Sequence, residues 1–524
     1  MTDAKAKSPA VKWAKIIIPA IVAIIIGCIP APEALNLAVE QALPAGATAK
    51  AGFINGVLVT TADPTNSPLT GAGLVTGAAA MRFIGIFVAV VLWLVLNAFP
   101  TWMVVILGMA CTIYFCYGDA SVSKVSSSVA FAKVLSGFSG STLWSIIGVF
   151  GFAAVISQSG LLKRLALKVL SWFPDTYIGQ VAGILISGFV ISPMIPSTTA
   201  KTAILTPFAQ QVANALGYKK DSKGITGIFC SAYMASQFFG NAFYSGSLIV
   251  FIILGFTGSQ TFDWVSWFLA CCIWLVVMVI GSFIAIVTIY NPKRDGDQAV
   301  NFEKGFTKKM YAELPAMSTK EKVSAVFLVI AFLGWAFGSN FGMNAGVWAI
   351  MIWAVFVMLG YFDGKDFVSN MSWPMVFFIG GILCLASQIT TLGIDDWIAP
   401  LMAPAFQPFM SNPYLFILIL CVLTYLVRLV IVSQAATTTI FFAGCASVAA
   451  TFGITPWVIV FTVYMSCLVW HFDFSSSQFM TTFGLTKGEM TTHKATIPMN
   501  IAYMVINTIA CVASVPLWQM LGLM

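Results

Sequence analysis

The chain has 524 residues, of which 59% are hydrophobic and 9% charged, with a net charge of +7 and a mean hydropathy of +0.93. No soluble domain of this length needs so much apolar sequence, so composition excludes an ordinary globular protein and points to a polytopic membrane protein. The cations lie in short loops, which argues against a nucleic-acid surface. The 11 cysteines fall almost wholly inside apolar runs without CxxC or Cys/His spacing, so they read as small buried hydrophobes.

In chain order, a first helix is expected over roughly 14–29, following Lys12 and Lys15, and is read as uncleaved. Residues 30–80 read as an external loop. Apolar segments follow at about 83–98, 101–117 and 143–159, then a hairpin at 178–216. A segment at 225–256 is interrupted near Gly240-Asn241, and another span runs over 263–290. A hydrophilic, cation-rich stretch, 291–322, is expected as a cytoplasmic linker. The second half repeats the plan at 323–338, 344–361 and 374–390, with a hairpin at 413–452, an interrupted segment at 456–485 and a last helix at 496–521. The domains are therefore 1–82, an N-terminal helix and loop; 83–290, a first repeat; the linker; and 323–524, a second repeat.

The fold class expected is all-α, with about eleven transmembrane helices plus two re-entrant hairpins. With the N-terminus in the cytoplasm, the inside loops hold Lys163, Arg164, Lys168, Lys219, Lys220, Lys223, Lys365, Lys487 and Lys494, while the outside loops hold Lys50, Asp263, Asp395 and Asp396. Positive charge thus stays inside across the chain. The first hairpin then enters from the inside and the second from the outside, which makes the halves inverted repeats.

The two hairpins carry the most informative residues. Pro193 and Pro196 break the first, and Ser197, Thr198, Thr199 and Thr202 follow with Lys201. The second reads RLVIVSQAATTTI over 428–440. Aligning Ser197 with Ser433 matches serine, alanine and threonine at the same offsets. Each is preceded by a Trp-led apolar segment ending in Ser-Gln, at Ser157-Gln158 and Ser387-Gln388. Backbone that leaves the helix at membrane depth must line a cavity or lie buried in protein. Paired interrupted segments in two weakly similar halves mark a transporter site between repeats. Half-helix N-termini and short hydroxyls suit a carboxylate, and freed carbonyls suit Na⁺.

The candidate substrate-binding residues are Ser197, Thr198, Thr199, Lys201, Thr202, Asn241, Arg428, Ser433, Gln434, Ala435 and Thr437. The candidate ion-binding residues are Ser197, Thr198, Gly240, Ser433, Gln434, Asp473 and Ser475, with His471 beside that break. A cation at membrane depth, such as Lys201 or Arg428, implies a bound anion or a carbonyl cage. No catalytic residue is assigned, since there is no G-x-S-x-G, H-E-x-x-H, P-loop or dinucleotide fingerprint. No cofactor is expected beyond Na⁺ as a candidate coupling ion, and no nucleic-acid partner.

These motifs resemble those of the divalent anion–sodium symporter family, the dicarboxylate, citrate and 2-oxoglutarate/malate carriers. Pro196-Ser197-Thr198-Thr199-Ala200-Lys201 is similar to the family's Pro-Ser-Asn-Thr-Ala-Arg. The stretch from Ser433 to Thr439 resembles the second signature. Ser136–Trp144 and Pro516–Gly522 look like two further family segments. The resemblance implies a homodimer in the plasma (inner) membrane, a scaffold and a transport domain with an elevator movement, and signature tips that hold substrate carboxylates and help build two sodium sites. Thr198 and Gln434 replace the family's asparagines, and Lys201 could supply charge that sodium provides elsewhere. Sodium symport, exchange and proton coupling therefore all stay open. A carrier of another anion (sulfate, an oxyanion or a monocarboxylate) and a membrane-embedded enzyme or channel are the alternatives.

Overall fold

The computed structural model describes residues 9–32, 35, 52–54, 57–59, 76–117, 131–132, 134–257, 262–295, 305–341, 345–394, 397, 409 and 411–524. The expected external charges Lys50, Asp395 and Asp396, most of the loop 30–80 and residues 296–304 of the linker lie outside these. The described chain is almost wholly helical. Its one exception among the described residues is an antiparallel ribbon, β1 (Gly52–Ile54) and β2 (Val57–Val59), within the stretch expected as a loop.

Helix α1 spans Pro9–Gly27 and packs along α2 (Thr76–Leu96). Helix α3 (Thr101–Thr112) continues as a π turn to Tyr117. The segment expected at 143–159 is α4, Ser141–Gln158, and it does not simply end there. Gly160, at φ +87°, turns the chain into α5, Leu161–Leu170, bent by 66° from α4. Glycine has no Cβ penalty in that left-handed conformation. Helix α5 is amphipathic: Lys163, Arg164 and Lys168 share it with a buried leucine face, which suits a helix lying along an interface. Arg164 Nε meets Glu321 Oε1 at 3.0 Å and its Nη2 donates to the Pro315 carbonyl, tying α5 to the end of the linker.

The first hairpin is α6 (Tyr177–Ile191), a 3-10 turn at Ser192–Met194, and α7 (Thr198–Ala215). The first interrupted segment is α8 (Lys223–Gln237), a 3-10 turn at Phe239–Ala242, and α9 (Leu248–Phe256). Helix α10 (Trp264–Ile289) closes the first half and starts with a capping box between Asp263 and Ser266. In the second half, α11 (Thr319–Phe337), α12 (Ala345–Met358) and α13 (Trp373–Thr391) precede the second hairpin, α14 (Pro413–Val427) and α15 (Gln434–Ala450). The second interrupted segment is α16 (Pro456–Cys467), a 3-10 turn at Asp473–Ser475, and α17 (Ser477–Leu485); α18 (His493–Met520) is last. Among the described residues, four helices are long and apolar enough to cross a membrane, or five if α4 and α5 count as one bent span. The remaining apolar helices are shorter, among them the hairpin arm Pro413–Val427 and the half-segment Pro456–Cys467.

Aromatic residues form much of the core. Trp267, Trp274, Trp457, Trp470 and Trp518 are among the largest fully buried side chains. They join α10, α16 and α18 into one packed block, and four of the five indole N–H groups find acceptors, Trp457 Nε1 being the exception. Trp518 Nε1 donates to the Ala270 carbonyl at 2.8 Å, and Trp274 Nε1 to Asn507 Oδ1 at 2.9 Å. In another part of the fold, α11 and α12 approach so closely that a Cβ on Gly334 would overlap the Trp348 indole. Gly334→Ala should therefore lower the melting temperature of the purified protein by several degrees, because overpacking costs about 1–3 kcal/mol. An unchanged melting curve would show that the two helices can spread freely.

A candidate anion site between two hairpin tips

The two tips have the same local structure. Ser197 is the N-cap of α7, with φ −80° and ψ 108°, and its Oγ accepts from the Ala200 N–H at 3.2 Å. Ser433 is the N-cap of α15, with φ −74° and ψ 116°, and its Oγ accepts from the Ala436 N–H at 3.2 Å. In each, the serine oxygen is spent on the helix while its O–H proton is left to donate outward. Each tip also presents the positive end of a helix, with first-turn N–H groups that have no intrahelical acceptor.

The other hydroxyls are committed differently. Thr202 Oγ1 donates to the Thr198 carbonyl, Thr437 to Ser433, Thr438 to Gln434 and Thr439 to Ala435, each four residues back. These protons are used inside the helices, as threonine commonly does at membrane depth. Thr198 is buried, whereas Thr199 is exposed at the tip. Gln434 and Ala435 are half-buried and sit in the first turn of α15.

Lys201 and Arg428 both donate to backbone carbonyls. Lys201 is fully buried, and its Nζ donates to the Gly246 carbonyl at 2.9 Å. A Cβ on Gly240 would collide with that ammonium and with the Gly246 carbonyl oxygen, so the first break needs glycine there. Arg428 Nη1 donates to the Ile431 carbonyl at 2.9 Å and to that of Val432, and Nη2 donates to the Ser475 carbonyl at 2.9 Å. Each cation thus pins a hairpin to the interrupted segment of its own half. Asn241 lies in the first break, where its carbonyl accepts from Trp267 Nε1 at 3.1 Å and its Oδ1 is buried without a donor. Ser475 closes the 3-10 turn of the second break, and its Oγ donates to the Phe472 carbonyl at 2.7 Å. Asp473 opens that turn and is exposed.

The second break brings the tips together. Arg428, at the second hairpin, holds Ser475, and three residues on, Gln478 Nε2 donates to Thr199 Oγ1 of the first tip at 3.3 Å. Tyr233 OH meets Ser476 Oγ at 3.2 Å, joining the first interrupted segment to the second. Gln478 and Tyr233 were not singled out from sequence. The run of serines before Gln478 was a visible signal, but it does not say which polar residue reaches across.

A cavity of about 250 Å³ opens beside the first tip. Its walls are Ile195, Pro196, Ser197 and Ala200 of the tip, Leu248, then Phe150, Ala153, Ala154, Ser157 and Gln158 of α4, and Ser369, Asn370 and Ser372. The first Ser-Gln pair therefore faces Ser197. The second pair is elsewhere: Gln388 is buried and accepts from Tyr117 OH at 2.5 Å. No group of His, Cys, Asp and Glu that could hold a metal ion occurs among the described residues.

The family model described as the sodium:sulfate symporter transmembrane region matches residues 71–524. The chain is similar to the inner membrane protein YbhI of Escherichia coli (strain K12), with 27% identity over 324 residues, covering 60% of this chain and 66% of that protein. It is similar to the chloroplastic dicarboxylate transporter 2.1 of Arabidopsis thaliana, with 24% identity covering 55% of this chain and 52% of that one. Against the citrate/succinate antiporter of Escherichia coli (strain K12) identity is 23%, covering 65% and 72%. The chain thus spans from about half to three quarters of the length of such relatives, 52% to 74%. Among solved structures, the Alcanivorax borkumensis YdaH transporter shares the fold, with a TM-score of 0.53 and 15% identity over 75% of this chain and 88% of that one. Because the match runs from residue 71 to residue 524 and takes in both hairpins, the chain belongs to the sodium:sulfate symporter family, the divalent anion–sodium symporters.

Proposed function

We propose that this chain is a secondary active transporter of small organic di- or tricarboxylate anions across the plasma (inner) membrane. Its N-terminus is cytoplasmic, and it works as a homodimer by an elevator movement of the hairpins and broken segments. The observation that carries this reading is the mirrored pair of N-capping serines, Ser197 and Ser433, whose tips both touch residues 475–478. Two helix N-termini with free hydroxyl protons suit carboxylate oxygens. The cavity of about 250 Å³ beside Ser197 has room for a molecule of that size.

For coupling we propose anion exchange over sodium symport. The buried Lys201 Nζ already occupies the first break, on the Gly246 carbonyl and against Gly240, where freed carbonyls would otherwise suit a sodium ion. In proteoliposomes loaded with a dicarboxylate, uptake of labelled dicarboxylate should proceed equally well with and without a sodium gradient. Accumulation that needs the gradient would overturn exchange and leave the carrier reading standing.

The second reading is transport of sulfate or another inorganic oxyanion, favoured by the sulfate in the family model's description. A thermal-shift series with succinate, citrate, malate and sulfate separates the two, because only an anion that binds the folded protein raises its melting temperature.

A further inference from the structure

We infer that Gln478 contacts the transported anion and that its side-chain amide turns over when the anion arrives. This rests on the reading of the site as an anion carrier. Gln478 is half-buried in the first turn of α17, and its Nε2 donates to Thr199 Oγ1 at 3.3 Å. That bond crosses from the second break to the first tip, between residues 279 apart in the chain. The other end of the amide, Oε1, is buried and meets no donor.

An acceptor left in this state is costly unless something reaches it. A hydroxyl both donates and accepts, so Thr199 tolerates either face of the amide. After half a turn, the Thr199 O–H donates to Oε1, and Nε2 takes the place of the orphaned oxygen. The same position then offers a donor instead of an acceptor, and the bridge to Thr199 is kept.

The surroundings favour the donor state once a negative charge is present. Ser476 caps α17 by accepting from the Phe479 N–H at 3.2 Å, so the N–H groups of Ser477 and Gln478 remain without an intrahelical acceptor. The N-terminus of α7 stands on the other side of the bridge, at Thr198 and Thr199. Two positive helix ends therefore flank the amide. An arriving carboxylate gains the Gln478 N–H; in its absence the amide relaxes to the strut.

Variants separate a ligand contact from a strut. Gln478→Glu keeps the shape and can still accept from Thr199, but it cannot donate to an anion. Gln478→Met removes donor and acceptor together and stands in if the glutamate variant fails to fold. The readout is the melting temperature of purified protein titrated with succinate, citrate and sulfate.

We expect at least one of these anions to stabilise the wild type. Gln478→Glu and Gln478→Met should each bind it about tenfold or more weakly. Unchanged affinity in Gln478→Glu or Gln478→Met overturns the inference alone. If none of the three anions stabilises the wild type, the carrier reading falls and takes this inference with it.

Discussion

Ser197→Ala and Ser433→Ala should each raise the KM for dicarboxylate uptake roughly tenfold or more while leaving the protein folded, because a hydrogen bond to a charged group is worth about 1.5–3 kcal/mol. The folding cost is smaller: loss of an N-cap takes about 1 kcal/mol, and the rest of each helix keeps its packing. Threonine at either position should restore most of the activity, since its hydroxyl can cap the same N–H and still donate. Both serines carry the same cap geometry, so the two alanine variants should fail in the same way. Uptake by reconstituted protein checks this, with melting curves as the control. Normal kinetics in both variants would mean that the tips hold backbone and nothing else.

Arg428→Leu should abolish transport and lower the melting temperature markedly. The guanidinium serves the carbonyls of Ile431, Val432 and Ser475 at once, and all three would lose their donor. Each buried group left unpaired costs about 1–3 kcal/mol. Arg428→Lys should recover little, because an ammonium cannot span the same fork. The loss is expected in the maximum rate as well as in KM: the second hairpin would no longer be held to its broken segment and could not move with it. Wild-type uptake in Arg428→Leu would contradict the role given to this side chain.

The hairpins were legible because their signal is local. Pro193 and Pro196 cannot continue a helix, and hydroxyl residues in so apolar a chain mark backbone that needs satisfying. The pairing of Ser197 with Ser433 was legible as well, from matched offsets alone. What Lys201 and Arg428 hold was not, because sequence gives a cation's depth but not the carbonyl facing it. The carbonyls that tie each cation to its broken segment belong to Gly246 and Ser475, 45 and 47 residues away. The Gln478 bridge to Thr199 spans the two halves and depends on how the repeats dock. The bend at Gly160 was missed for a different reason. Hydropathy sees one apolar run ending near a basic patch, and only the positive φ of Gly160 shows that the chain turns into an amphipathic helix.

A cryo-EM map of the purified protein with a saturating dicarboxylate tests the central claim most directly. The account predicts ligand density within hydrogen-bond reach of the Ser197 and Ser433 hydroxyls, beside residues 475–478. Density held elsewhere, with both serines facing only protein or lipid, would contradict it.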